Sequence, residues 1–237
     1  MNVSVVMATY NGERYIKEQL DSIMPQLSRD DEIVISDDKS TDSTLNIIEN
    51  YQKKYTNIKL VYGPCEGVGN NFQNAILHSK NELIILSDQD DVWDNNKIEI
   101  IKESFLRNPE AGVIMHNGVH FGEKNNTIIR KYKKGVCRNI LSSCYWGCCM
   151  AIKAEYIRPI LPLGKRIISH DQLIGLVSEK YNKTVFIDEN LIRHRFHMNN
   201  QTKARPIMEK IKFRIVLFLQ YLLCLRKIRT VNANRRA

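Results

Sequence analysis

The sequence predicts an α/β fold, in which a mostly parallel sheet is flanked by helices and followed by a helical, basic C-terminal tail. Short apolar runs rich in β-branched residues alternate with helical stretches along the first half of the chain. This alternation is typical of a parallel sheet with helices on both faces. Three of the predicted strands end in polar or acidic loops, and the carboxyl ends of parallel strands are where ligands bind in such sheets.

The first half of the chain repeats a unit of strand, loop and helix. Each strand is a short apolar run, and each helix is indicated by apolar residues that recur every three or four positions. The loop after the second strand is dense in residues that cap helices, namely Ser40, Thr41 and Asp42. The predicted order is strand 3–7, helix 15–25, strand 33–35, helix 45–55, strand 58–61, helix 69–78 and strand 83–86.

The second half has a looser pattern. From about residue 113 the predicted strands become shorter, and a basic loop spans residues 124–138. A strand follows at residues 148–152, a helix is expected near Glu155, and another helix is expected over residues 168–179. We expect these elements to complete the same domain.

The composition is that of a folded protein of enzyme size. Of the 237 residues 43% are hydrophobic, enough for one large core or two small ones. The six cysteines show no paired spacing and no leader pattern opens the sequence, so we expect reduced thiols in a cytoplasmic protein. The net charge of +9 is concentrated in residues 207–237, which hold eight Lys or Arg and one acid, so the nearly neutral body does not call for a nucleic-acid partner.

The basic tail contains an apolar run at residues 215–225. Eleven residues are too few for a helix that spans a membrane, which needs about 20. Basic residues beside an apolar segment suit attachment to an anionic membrane surface. A helix buried on the body of the protein or in a dimer explains the same run equally well.

An acidic turn directly follows the predicted strand at residues 83–86. Asp88 and Asp90 can emerge together from the end of this strand, and such a carboxylate pair suits Mg²⁺ or Mn²⁺ beside a diphosphate. A solvated acidic turn is the alternative interpretation, because Asp is common in turns.

Two further carboxylates, Asp37 and Asp38, end the second predicted strand. A carboxylate at this place can accept the ring N–H of a pyrimidine or a ribose hydroxyl. Helix capping explains part of the same polar cluster. Both interpretations stay open from the residues alone.

Asp171 lies near the start of the helix predicted over residues 168–179. A carboxylate is favoured in its ionised form at a helix N-terminus, which suits a general base that awaits a hydroxyl group. A simple N-capping role is the alternative.

Residues 193–201 hold two arginines, two histidines and three amides, a high density of polar groups for a loop. His197 could complete a metal shell, and Arg195 could bind a diphosphate through two hydrogen bonds. The alternative is a polar surface loop.

The order of these motifs resembles glycosyltransferase family 2, whose members invert configuration and have the GT-A fold with a Rossmann-like sheet. The segment SDQDDVW at residues 87–93 is similar to the form found in rhamnosyltransferase-like members of bacterial surface-polysaccharide synthesis. The resemblance covers about residues 1–203, and several motifs of different chemistry carry it together. They are residues 4–12, 35–42, 87–93, 146–150, 170–171 and 197–201.

The resemblance implies a division into residues 1–110 for the nucleotide sugar, 111–203 for the acceptor, and a basic helical tail at 204–237. It implies that Asp171 is the catalytic base, that Asp90 binds a divalent metal, Mn²⁺ or Mg²⁺, and that His197 is a further ligand. Donor-binding positions would be Thr9, Tyr10, Asn11, Asp37, Asp38, Asp88 and Arg195. Acceptor-binding positions would be Trp93, Trp146, Gly147, His170 and Gln172.

The implied reaction is a single in-line displacement. Asp171 takes the proton of the acceptor hydroxyl, the oxygen attacks the anomeric carbon opposite the diphosphate, and the configuration inverts. Three positions depart from the family pattern: Lys39 stands where Gly is usual, Gln89 lies between the two aspartates, and Gln172 replaces an aromatic residue.

The implied donor is dTDP-rhamnose or a UDP-hexose, and the implied acceptor is a saccharide or a lipid-linked molecule at the cytoplasmic face of the membrane. A nucleotidyltransferase that makes sugar nucleotides is one alternative, but the loop at residues 8–12 lacks the Gly-rich, basic phosphate pattern. A non-catalytic basic binding module is another, but the basic residues are confined to the tail.

Overall fold

The computed structural model of the protein describes residues 1–122, 127–129, 131–197 and 206–234, with side chains up to residue 230. Within these ranges the strands form an eight-stranded mixed sheet in the order β3-β2-β1-β4-β7-β6-β8-β5. The strands are β1 Val3–Thr9, β2 Glu32–Asp37, β3 Ile58–Tyr62, β4 Leu83–Ser87, β5 Val92–Trp93, β6 Val113–Gly122, β7 Met150–Lys153 and β8 Thr184–Phe196.

The helices of the described residues lie between these strands and at the C-terminus. The first helix, for example, packs an apolar stripe on the sheet, with Ile16, Leu20 and Ile23 buried. The helices are α1 Ile16–Ile23, α2 Thr44–Gln52, α3 Val68–His78, α4 Lys97–Arg107, α5 Val136–Leu141, α6 Ala154–Ile157, α7 His170–Lys180 and α8 Ile207–Asn234. A 3-10 turn at Gly147–Cys149 precedes β7.

The first four strands, β1 to β4, form the parallel part of the sheet. Strand β1 lies between β2 and β4, and Thr9 at its end is paired with Asp37 at the end of β2. The predicted strands and helices of residues 1–110 are therefore present in the predicted order, with boundaries that differ by a few residues. This arrangement places the loops after β1, β2 and β4 at one edge of the sheet.

The second half extends the same sheet and makes it mixed. Strand β7 lies antiparallel between β4 and β6, while β8 runs parallel to β6 and antiparallel to the short strand β5. Residues 193–196, which the sequence predicts as a loop, are the end of β8 instead, because they pair with β6 and β5. The sheet is therefore parallel in its first half and mixed beyond β4.

Two hydrophobic clusters pack against the two faces of the sheet. Side chains alternate along β1, so that Val5 and Met7 face one cluster and Val6 and Ala8 face the other. Burial of each large aliphatic side chain contributes about 1.5–3 kcal/mol to stability. The core therefore holds the site loops on a sheet that is covered on both faces.

Helix α8 covers one of these clusters with one of its faces. Phe213, Leu217, Tyr221 and Cys224 recur every three or four residues and are buried against the cluster. No helix among the described residues meets the length and apolarity that a membrane crossing requires. The opposite face of α8 exposes a set of large apolar side chains, which we call the outer face: Ile207, Met208, Ile211, Ile215, Val216, Phe218, Leu219, Leu222 and Leu223.

Candidate active site

The candidate site lies at the edge of the sheet where β1, β2 and β4 end, and hydrogen bonds join the three loops. Asp38 N donates to the carbonyl oxygen of Thr9 over 3.0 Å. Asn11 Oδ1 accepts from the backbone N–H of Thr41 over 2.8 Å, which ties the first loop to the second. The predicted donor-binding residues of these two loops therefore belong to one connected surface.

Asp37 is fully buried, and its carboxylate is held within the protein. It accepts hydrogen bonds from Thr9 Oγ1 at 2.7 Å and from the N–H and hydroxyl of Ser40 at 2.7 and 2.6 Å. Three donors satisfy most of the acceptor capacity of a carboxylate. Asp37 and Thr9 therefore shape the second loop, and little of either is left for a ligand.

Asp38 is the partly exposed carboxylate of the pair. Its Oδ1 accepts from the backbone N–H of Cys65 at 3.0 Å. Burial raises the pKa of Asp38, the Cys65 hydrogen bond opposes this shift, and the charge of Asp37 adds to it. A Cβ atom on Gly63 would lie 2.1 Å from Asp38 Oδ1, so the glycine permits the close approach of these two loops. Asp38 is thus the carboxylate of this pair that remains partly exposed.

Gln89, between the two aspartates of the acidic turn, fixes that turn to the first loop. Its Oε1 accepts from Tyr10 N at 3.0 Å, and its Nε2 donates to Tyr10 O at 3.1 Å. The Tyr10 side chain is exposed. A Cβ atom at Gly12 would meet Gln89 Oε1 at 2.4 Å, so a larger residue at this position would displace the Gln89 amide. Gln89, which departs from the family pattern, therefore connects the loop after β1 to the acidic turn.

The acidic turn concentrates carboxyl groups. Burial and the charges of Asp91 and Asp90 raise the pKa of Asp88 to about 8. Burial and Asp91 also raise the pKa of Asp90, whereas His197 opposes that shift. Asp90 Oδ2 lies 2.9 Å from His197 Nε2, so the two predicted metal ligands come together.

A hard divalent cation fits this turn. Asp90 and His197 bring an oxygen and a nitrogen donor to the same place. The rest of the motif at residues 197–201, which is residues 198–201, lies outside the described residues. Burial and the neighbouring carboxylates raise the pKa values of Asp88 and Asp90, and a bound cation would stabilise their ionised forms. The chain also groups Asp88 with Asp91, Cys148 and His194 closely enough to hold a metal ion.

Asp91 and His194 form a buried pair behind the turn that the sequence motifs do not identify. His194 Nδ1 lies 2.9 Å from Asp91 Oδ1, which also accepts the Arg195 N–H at 2.9 Å. Burial opposes protonation of His194, but hydrogen bonds to Asp91 and Cys148 raise its pKa to about 12. The sequence signal for this pair is weak, because a third aspartate in the turn and a histidine in a strand are 103 residues apart.

Arg195 is held by the protein on several sides. Its guanidinium lies over the rings of Tyr15 and Phe121, with centroid distances of 4.7 and 4.4 Å. It also bonds to Glu18 and donates from Nε to the carbonyl oxygen of Asp90 at 2.9 Å. The structure therefore uses Arg195 to support the acidic turn, in contrast to the predicted diphosphate contact.

Asp171 occupies the first turn of α7, near the acidic turn. Its Oδ1 accepts from Ser169 Oγ at 2.5 Å and from Gln172 N at 2.8 Å. The charge of Asp171 contributes to the raised pKa of Asp88, so the two carboxylates lie within electrostatic reach of each other. A Cβ atom on Gly147 would lie 3.2 Å from His170 Nε2 and 3.6 Å from Asp171 Cβ, so this glycine lies directly beside the predicted base.

Of the predicted acceptor residues, Trp93 does not fit that role. Only 2% of Trp93 is exposed, and Lys97 Nζ lies 4.0 Å from the centre of its ring, so Trp93 belongs to the core. Trp146 is partly exposed and packs edge-on to His194 and His120. The resemblance implies an acceptor contact at Trp93, but the packing of strand β5 into the core determines where this side chain lies.

His170 and Gln172 flank the predicted base. His170 is buried and stacks on Phe72 at 4.2 Å, and burial lowers its pKa. Gln172 Oε1 accepts from Arg214 of α8 at 2.8 Å. Gln220 of α8 donates to the carbonyl oxygen of Arg166 and accepts from the N–H of Ile168, at 2.5 and 3.3 Å. The tail helix is thereby bonded to the segment that carries the base.

Residues 4–161 match the family model described as glycosyl transferase family 2. The dTDP-rhamnosyl transferase RfbG of Shigella flexneri is 31% identical, over 88% of this chain and 77% of that relative. The poly(ribitol-phosphate) beta-glucosyltransferase of Bacillus spizizenii is 41% identical over 38% of this chain, but over only 15% of that relative.

Solved structures share the fold at low sequence identity. The S. aureus TarS 1–349 complex with UDP-GlcNAc has a TM-score of 0.72 at 20% identity, and the match covers 92% of this chain and 67% of that chain. The mannosyltransferase PcManGT from Pyrobaculum calidifontis, in complex with GDP-Man and Mn²⁺, has a TM-score of 0.64 at 17% identity, over 98% of this chain and 75% of that chain.

Proposed function

The chain belongs to glycosyltransferase family 2, and we propose that it is an inverting, metal-dependent enzyme that transfers one sugar from a nucleotide-diphosphate sugar to an acceptor hydroxyl. Family membership identifies it as a glycosyltransferase, in contrast to a nucleotidyltransferase or a non-catalytic module. The observation that supports the proposed reaction best is the position of Asp171, which lies at the start of α7 within electrostatic reach of the acidic turn after β4.

In this proposal the donor and the acceptor are bound by different parts of the site. The loops after β1 and β2 bind the nucleoside, with Asp38 as their accessible carboxylate. Asp171 accepts the proton of the acceptor hydroxyl as that oxygen attacks the anomeric carbon. Gly147 lies beside Asp171, where the acceptor would bind. Most of the rate enhancement would come from positioning and from stabilisation of the leaving diphosphate.

We propose that Asp90 and His197 hold the divalent cation, Mn²⁺ or Mg²⁺. The cation, when bound, neutralises charge on the departing diphosphate. Arg195 supports these ligands by binding the backbone of Asp90 and the side chain of Glu18. The PcManGT structure, which is in complex with both GDP-Man and Mn²⁺, agrees with this proposal.

The donor proposed for the chain is dTDP-rhamnose, with a UDP-hexose as the second candidate. The name of the Shigella relative supports the rhamnosyl donor, and the UDP-GlcNAc complex of TarS is the reason for keeping the uridine donors. We expect a saccharide or lipid-linked acceptor in surface-polysaccharide synthesis. An E. coli relative named for a diphosphoundecaprenol acceptor supports the lipid-linked alternative.

Two variants separate the proposed roles of the carboxylates. Asp90→Ala and Asp171→Asn should each reduce transfer nearly to background. Asp90→Ala should also weaken metal-dependent donor binding, whereas Asp171→Asn should leave it near that of the wild type, because the base contacts the acceptor. Calorimetric titration with dTDP-rhamnose and with UDP-hexoses, with and without Mn²⁺, measures binding independently of turnover. The opposite pattern, with donor binding lost only in Asp171→Asn, would refute the assignment.

We further propose that α8 attaches the enzyme to the cytoplasmic face of an anionic membrane. The inner face of this helix is already used in the core, while the outer face remains apolar and exposed. Lys212, Arg226 and Arg229 are also exposed on this helix. Apolar area next to basic charge is the combination that binds anionic lipid surfaces.

Vesicle flotation tests the membrane proposal without disturbing the core. The triple variant Phe218→Gln, Leu219→Gln, Leu222→Gln should float less than the wild type with vesicles that contain anionic phosphatidylglycerol. Leu106→Gln, which changes an exposed leucine on α4, is the matched control and should float normally. Equal flotation of the triple variant and the wild type would contradict the proposal. A wild-type dimer that the triple variant dissociates would assign the outer face to a second copy of the chain.

A further inference from the structure

Behind the acidic turn lies a group of potential ligands that the proposed transfer reaction does not use as a unit. Asp88, Asp91, Cys148 and His194 place one ligand atom each within 4.8 Å of one another. They come from the turn after β4, the 3-10 turn at Gly147–Cys149 and strand β8. We call this group the buried cluster.

One atom of the buried cluster has an unused lone pair. Asp91 has no exposed surface, and its Oδ1 is occupied by His194 and by the backbone of Arg195. Its Oδ2 is buried and has no hydrogen-bond partner among the described residues. An unpaired buried carboxylate oxygen is costly, and each such atom in a native protein calls for an explanation. A bound cation would satisfy it.

The donor types of the buried cluster differ from those of the Asp90 and His197 pair. A thiolate, an imidazole and carboxylate oxygens are the ligands of Zn²⁺, whereas Mg²⁺ and Mn²⁺ prefer oxygen. We propose that the buried cluster binds a borderline divalent cation such as Zn²⁺, at a site separate from the one formed by Asp90 and His197.

The geometry requires only a small contraction. Zinc bonds of about 2.0–2.3 Å in a tetrahedron place neighbouring ligand atoms about 3.3–3.8 Å apart. The four ligand atoms lie within 4.8 Å of one another, so shifts of about 1 Å would close the site. The ligands bind as thiolate and neutral imidazole, so the incoming ion displaces the protons of Cys148 and His194 into solvent.

Occupancy of this site would change the acidic turn. Asp88 belongs both to the buried cluster and to the proposed donor site, so a cation bound behind the turn would draw its carboxylate away from the donor. Zn²⁺ would then inhibit transfer even when Mn²⁺ is in excess. This consequence rests on the proposed function, whereas binding of the ion does not.

Cobalt absorption tests binding directly in the full-length protein. Co²⁺ replaces Zn²⁺ as a spectroscopic probe, and a cobalt–thiolate bond gives a charge-transfer band that oxygen and nitrogen ligands alone do not give. The band should appear in the wild type, in Asp90→Ala and in Cys149→Ser. It should be lost in Cys148→Ser and reduced in His194→Gln. Cys149 is the matched control, because it is a buried cysteine next to Cys148 and lies outside the cluster.

The outcomes decide the proposal separately from the transferase assignment. No band in the wild type, or a band that persists in Cys148→Ser, overturns it. A band that instead disappears on Cys65→Ser or Cys137→Ser shows adventitious binding at an exposed thiol and also overturns it. Melting temperatures verify that each variant is folded, and Cys148→Ala replaces Cys148→Ser if the serine variant does not fold. In a transfer assay, Zn²⁺ should inhibit the wild type much more strongly than Cys148→Ser.

Discussion

Lys39 departs from the family pattern, and its backbone conformation costs conformational free energy. Its φ angle is 61°, in the left-handed region where a non-glycine residue loses about 1 kcal/mol. The neighbouring loop contains Asn11 at a φ of 48°, a residue type that tolerates this region. The family-like glycine at position 39 would have adopted the same turn without strain.

We expect Lys39→Gly to raise the free energy of unfolding by up to about 1 kcal/mol, with the entropy of the glycine in the unfolded chain offsetting part of the gain. Urea denaturation measures the change. Lys39→Ala is the control, because it removes the same side chain and keeps the strained φ. A Lys39→Gly variant that is no more stable than Lys39→Ala would contradict this prediction.

At the same scale, the sequence indicates where polar side chains emerge but not which way they turn. The positions of Asp90, His197 and Asp171 follow from strand ends and a helix start, and the structure brings the first two together and places the third within electrostatic reach of Asp88. Asp37 and Arg195 are at predicted positions too, yet both are occupied by contacts inside the protein. Such contacts depend on residues far apart in sequence, which local patterns do not reveal.

At the scale of the element, α8 packs on the body of the protein with one face, which is one of the two alternatives that the sequence presents. The predicted apolar run at residues 215–225 belongs to a helix of 28 residues, one face of which is buried. A run of apolar residues without clear periodicity gives no indication of which face is covered. The partner surface, which is built from residues far earlier in the chain, decides this.

Two leucines on α8 test which face stabilises the fold. Leu217 has no exposed surface, and we expect Leu217→Ala to cost about 2–5 kcal/mol. Leu219 is 54% exposed, and Leu219→Ala should change stability by less than about 0.5 kcal/mol. Chemical denaturation of both variants gives the comparison. Similar losses in the two variants would mean that the helix is covered on both sides.

At the scale of the whole molecule, the predicted halves 1–110 and 111–203 contribute strands to a continuous sheet. Strand β7 of the second half pairs with β4 of the first half, and β6 extends the sheet from β7. The alternation of the first half is sufficient to predict its parallel strands. The antiparallel insertion of β7 is not predictable, because a four-residue strand carries no signal of its neighbours.

This continuity predicts cooperative unfolding of the two halves. Separating them would break the backbone hydrogen bonds between β4 and β7 and expose both hydrophobic clusters. We therefore expect the urea transitions seen by far-ultraviolet circular dichroism and by tryptophan fluorescence to coincide. Each half carries one tryptophan, Trp93 or Trp146, so two separated fluorescence transitions would show that the halves unfold independently.

The hydrogen bonds from Arg214 and Gln220 to the segment before and within α7 have a geometric consequence. If the outer face of α8 rests on lipid, the thickness of a helix, about 10 Å, separates the bilayer surface from the segment that carries Asp171. If this coupling is rigid, the helix fixes the distance between the bilayer surface and Asp171. Acceptors would then be selected by the height of their reactive hydroxyl above the lipid headgroups. Under this condition the length of a growing glycan determines whether the enzyme extends that glycan.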